Sequence, residues 1–142
     1  MDRFSRNTLT LASVIMVIGI GLGAFGAHGL EDKVSEENLQ TFATGVLYHL
    51  LHGIAIALMA GIRVFVKDLR LRWVVHCFSL GILFFSGSIY LLATSTWTNI
   101  PTAIIGPITP IGGILFIVGW SLLAWRCINY QSDEHVIPSA QG

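Results

Sequence analysis

The chain has 142 residues, of which only 11% are charged, and a mean hydropathy of +0.72. A soluble domain carries about 25% charged residues, so too few charges are present to solvate a globular surface, and lipid must be the solvent for much of it. Eight basic and eight acidic side chains cancel, which excludes the electrostatic footprint of a nucleic-acid binder.

Charge-free runs locate the membrane spans in chain order. Asn7 to Leu30 is uncharged, as is Asn38 to Ile62, and Trp73 to Trp125 contains no Asp, Glu, Lys or Arg. A helix needs about 20 residues to cross the hydrocarbon, so the first two runs hold one span each. The third folds back once, at the Thr- and Pro-rich break "TSTWTNIPTAIIGP". The expected fold is all-α, an integral membrane four-helix bundle, with helices at roughly 8–29, 37–65, 73–95 and 107–127 in one domain over 1–130. The polar tail 131–142 is expected to be disordered.

The first span ends in "GAFGAHGL", which also reads as a signal-peptide cleavage site. The apolar run from Leu9 to Ala27 exceeds the roughly 7–15 residues of a signal h-region, and three further spans follow, so the segment is read as retained. Along it Ala12, Gly19, Gly23 and Gly26 fall within an arc of about 60° on a helix. This small-residue ridge lets backbones approach where packing cannot lean on the hydrophobic effect. Its partner is either another helix of this chain, which is favoured, or a second copy. Before the second span, Ser35 is placed to cap a helix whose first turn carries Glu36 and Glu37. Leu39, Phe42, Ala43 and Val46 then follow with amphipathic spacing. The last span opens with Gly106, Pro107 and Pro110, and carries Gly112 and Gly119 on one face. It reads as a helix start and packing groove, or as a partly unwound end that exposes backbone N–H groups to an anion.

Lysine and arginine set orientation. Arg3, Arg6, Arg63, Lys67, Arg70, Arg72 and Arg126 would lie on one side and Lys33 alone on the other. Both termini are therefore expected in the cytoplasm, with the bacterial inner membrane as the default location. Trp73 and Trp125 then fall at the inner interface and Trp97 at the outer one. Cys77 and Cys127 form no motif and are expected to stay unpaired in a reducing compartment.

This orientation places polar groups of all four spans in their outer parts: His28, Tyr48, His49, His52, Ser86, Ser88, Tyr90 and Thr109. They are expected at similar depth, where they could share one cavity. Three readings follow. The side chains are interhelical hydrogen-bond glue, or they line a polar pocket for a small ligand or ion, or His28, His49 and His52 hold a metal. No carboxylate lies within the spans to support the last. His76 reads as an interfacial side chain. No HExxH, GxSxG or phosphate loop is present, so the sequence offers no basis for an enzyme and implies no cofactor.

"GAFGAHGL", "YHLLHGIAIAL", "FSGSIYLLA" and "GPITPIGG" with "GW" resemble, in the same order, the small bacterial membrane proteins grouped as domain of unknown function 423, or UPF0382. The likeness runs from Thr8 to Trp120. It implies a four-span inner-membrane protein and brings no reaction with it. The link of some members with membrane integrity favours a structural or accessory role, acting on the bilayer, on a membrane partner or as a homo-oligomer. The rival is a small-solute or ion transporter that uses an outer polar cavity; the apolar inner halves of the spans weigh against a continuous polar route.

Overall fold

The computed structural model describes residues 1–66 and 69–130. Lys67 and the tail 131–142 lie outside them. Four helical segments are long and apolar enough to cross a membrane: Arg3–Gly29, Glu36–Phe65, Arg72–Ala93 and Thr102–Ile128.

The first, α1 (Arg3–Gly29), begins before the charge-free run because Asp2 caps it, accepting the Ser5 N–H at 2.7 Å. That backbone bond holds the Asp2 carboxyl below its ordinary value, and the Arg63 guanidinium at 3.4 Å adds a smaller effect. α2 (Glu36–Phe65) is one continuous helix, so the amphipathic turn runs straight into the span. Ser35 caps it through the Asn38 N–H, with Glu36 and Glu37 in its first turn.

The third segment is not a regular α-helix throughout. α3 (Arg72–Gly81) leads into a π turn at Ile82–Ser86, and α4 (Gly87–Ala93) follows. One extra residue per turn rotates everything after it by about 100° relative to an unbroken helix. The break between the spans contains two single-turn helices, α5 (Ser95–Thr98) and α6 (Thr102–Ile105). Asn99 between them is left-handed at φ 57°, a conformation asparagine tolerates better than most residues. α7 (Ile108–Ile128) then completes the bundle.

The inward face of α1 is chosen by size more than by hydrophobicity. In α1 the buried residues are Ser5, Thr8, Ala12 and Gly19, while Val17 and Ile20 face outward at 71% and 60% exposure. The α1 ridge faces α2 of the same chain: a Cβ on Gly19 would meet Leu50 and His49, one on Gly23 would meet Val46, and one on Gly26 would meet Phe42. Across α3 and α7, Gly81 seats the Phe116 ring, Gly119 seats Phe78, and Gly112 lies directly on the Phe85 backbone. The main core joins Ala55, Ile56 and Met59 of α2 to Val74, Phe78 and Ile82 of the third segment and to Phe116 of α7.

Candidate functional site

The intramembrane polar residues form ties between helices. His49 sits near the middle of α2. Its Nε2 lies 3.0 Å from the Ile15 carbonyl of α1, and its Nδ1 lies 3.2 Å from the Tyr90 hydroxyl of α4. A carbonyl only accepts, so Nε2 carries the proton, and Nδ1 is left to accept from Tyr90. Gly19 makes this possible, since its missing side chain leaves room for the imidazole at 3.0–3.3 Å from where a Cβ would stand.

His52 has the opposite tautomer for the same reason. Its Nδ1 donates to the Tyr48 carbonyl at 2.8 Å, and its Nε2 accepts the Trp120 indole N–H of α7 at 3.2 Å. The ring stacks on Phe116 with centroids 3.5 Å apart and meets the edge of Phe78. Both imidazoles are buried. Their sequence offset of three residues separates their directions by about 60° around α2, enough to place them in different seams. His49 faces α1 and α4, and His52 faces α3 and α7.

A third tie lies near the start of α7. Ser88 Oγ donates to the Phe85 carbonyl at 2.9 Å and lies 2.7 Å from Thr109 Oγ1, so with its proton already engaged it accepts from Thr109. The π turn brings this about by shifting the face that α4 presents. The other residues stand apart. His28 is exposed at the end of α1. Tyr48 is 38% exposed and packs its ring on Phe85. The Ser86 hydroxyl is fully buried and has no hydrogen-bond partner among the described residues.

The expectation of polar groups at one depth in one cavity therefore needs correction. His52 pairs with Trp120, twelve residues into α7, whereas Ser88 pairs with Thr109 at that helix's first turn. The polar groups are staggered through the bundle because each is held by a different neighbouring helix. Nor do the three histidines converge: among the described residues no three His, Cys, Asp or Glu side chains gather as metal ligands. The start of α7 is a regular helix with Pro107 as its N-cap.

Two partners were not singled out from sequence. Trp120 had a signal, since a tryptophan far from either helix end must satisfy its N–H inside the hydrocarbon. The Ile15 carbonyl had none, because every residue carries one. Among the described residues, three surface clefts are walled by residues other than these polar ones. Clefts of about 340 and 510 Å³ adjoin at the end of the bundle that carries the arginines, and one of about 360 Å³ lies between α1 and α2 beside Gly23 and Phe42.

The family described as "Protein of unknown function (DUF423)" matches residues 22–113. A UPF0382 membrane protein of Staphylococcus saprophyticus is 42% identical over 81% of this chain and 91% of its own length. One from Staphylococcus epidermidis is 38% identical over 86% and 95%, and YwdK of Bacillus subtilis 33% identical over 86% and 96%. No solved structure matches the chain. Matches of this identity and coverage mean that the chain belongs to the DUF423, or UPF0382, family of membrane proteins.

Proposed function

We propose that this membrane protein is a structural or accessory component of the bacterial inner membrane, not an enzyme, with both termini in the cytoplasm. One observation carries the reading: both nitrogens of each buried histidine are occupied by hydrogen-bond partners. The Ile15 and Tyr48 carbonyls can only accept, and the Trp120 indole can only donate. The Trp120 donor commits His52 to its neutral form, and in neutral His49 the Tyr90 hydroxyl takes up the free nitrogen, so neither ring is left with an open lone pair for a metal or substrate. Chemistry and transport both need polar groups that can change partners, whereas these are spent in tying α2 to α1, α4 and α7.

Such ties are individually modest, about 0.6 kcal/mol each in a membrane. Their value is geometric: they fix which helix faces which, where apolar packing alone discriminates weakly. A rigid bundle of this kind suits a role in envelope integrity, through the bilayer or through a membrane-protein partner or second copy.

The test is a deletion strain assayed for dye leakage and ion sensitivity, with in-cell cross-linking to capture what the chain touches. Raised leakage that the wild-type chain restores is the expected result. Normal leakage in the deletion, together with solute or ion flux into proteoliposomes that contain only the purified chain, would establish the transporter reading instead.

A further inference from the structure

Arginine is unevenly distributed in the folded chain. Arg63 closes α2, Arg70 lies in the connection that follows, Arg72 opens α3, and Arg126 is in the last turn of α7. All four line the cleft of about 340 Å³. The adjoining cleft shares Phe4 and Arg72 with it and adds Arg3. Five of the six arginines in the sequence thus face one pair of joined clefts.

Converging guanidinium groups repel one another unless an anion lies between them. Among the described residues the one ion pair at this end is Asp2 with Arg63 at 3.4 Å. Lys67 and Asp68, outside the described residues, cancel formally. The Arg126 guanidinium lies over the Trp125 ring at 4.8 Å, which orients its planar fork. Leu71 gives the start of α3 no side-chain cap, so the partial positive charge of that helix end adds to the same field.

The remaining wall of the cleft is apolar: Phe4, Leu69, Leu71 and Trp73. Trp73 and Trp125 are 65% and 54% exposed at this end of the bundle. Exposed tryptophans at a helix end mark the membrane interface, the depth of lipid headgroups. Guanidinium forks match phosphate oxygens in pairs, and an apolar wall beside them matches the first carbons of an acyl chain.

We propose that this arginine-lined cleft binds the phosphate headgroup of an anionic phospholipid. The chemistry recognised is a phosphate group. A free phosphate ion would use the same guanidinium groups but would gain nothing from the apolar wall or from the interfacial depth.

The experiment uses the full-length chain in detergent, with thermal midpoints followed against increasing short-chain phosphatidylglycerol, phosphatidylcholine of the same chain length, or inorganic phosphate. Phosphatidylglycerol is expected to stabilise at lower concentration than phosphatidylcholine. In Arg70→Gln/Arg126→Gln its apparent affinity should fall by about tenfold or more, since two charge-assisted contacts are lost. Lys33→Gln, at the opposite end, should leave it unchanged. Native mass spectrometry of the wild-type chain in mixed lipid needs no variant and should show preferential retention of phosphatidylglycerol. Equal retention of the two lipids, or wild-type affinity in the double arginine variant, would overturn the proposal. Stabilisation by inorganic phosphate as strong as that by phosphatidylglycerol would overturn the lipid assignment in favour of a soluble anion.

Discussion

Gly112→Ala is the sharpest test of how the last span is held. A Cβ at position 112 would stand 2.7 Å from Phe85 Cα and Cβ and closer still to the Phe85 backbone nitrogen. Ordinary carbon contacts begin near 3.5 Å, so α7 must recede from the π turn by at least about 0.8 Å. A gap of that size forfeits about a third of each contact along the seam. A neighbour of leucine size makes about 40 contacts at about 0.15 kcal/mol each, so the loss is about 2 kcal/mol, within the range known for overpacked cores. Alanine also gains about 1 kcal/mol of helix propensity over glycine, and that gain can be measured separately. At Gly21 and Gly87 an added Cβ would meet nothing within 4 Å, so Gly21→Ala and Gly87→Ala should hold or raise stability. Gly112→Ala should melt about 2–4 °C lower than wild type for the net 1 kcal/mol. Thermal unfolding of the purified chain in detergent reads all three. If Gly112→Ala melts at or above wild type, as the two open positions should, the close approach of α7 to Phe85 is wrong.

The histidine ties predict two different neutral tautomers, with the proton on Nε2 of His49 and on Nδ1 of His52; nitrogen NMR of labelled protein distinguishes them, and the same tautomer at both would refute the assigned partners. Zinc should leave the melting point of wild type unchanged, and a zinc-dependent rise that vanishes in His52→Ala would replace the tie with a metal site. Trp120→Phe, which keeps the ring and deletes the donor, should cost about 0.6 kcal/mol and at most about 1.7, again by melting. The asymmetry of basic residues predicts that a reporter active only in the periplasm, fused after Gly142, stays silent; strong activity would reverse the proposed orientation. Because the Asp2 carboxyl sits below its ordinary value of 3.8, its support of α1 is fully present above that pH and fades as pH falls through the lowered folded-state value. Acid should therefore lower the protection of the Ser5 amide, measured as its exchange relative to the intrinsic rate at the same pH, and Asp2→Asn, which can still cap but cannot titrate, should remove that dependence.

The four spans were legible in the sequence because the constraint on them is severe. A backbone in hydrocarbon must satisfy itself, so each crossing has to be a helix, and charge cannot remain inside it. Runs free of Asp, Glu, Lys and Arg therefore mark the crossings directly, and Ser35 with Glu36 and Glu37 marks the start of the second almost to the residue. The ridge of Ala12, Gly19, Gly23 and Gly26 was equally visible, since small residues at helical spacing have few other uses in lipid. Which seam each polar side chain enters was decided only by tertiary structure. In a soluble protein a hydrophobic stripe identifies the inward face of a helix; here lipid and protein interior are equally apolar, and Val17 and Ile20 face out while Ser5 and Thr8 face in. The π turn at Ile82–Ser86 shifts the register of Ser88 and Tyr90 without a marker in the residue pattern. His49 is held by a backbone carbonyl, a group every residue possesses, so no side-chain motif could name Ile15 as its partner. The arginines likewise lie far apart in sequence, and five of them face one pair of joined clefts only because α1, α2, α3 and α7 bring their ends to the same side of the bundle.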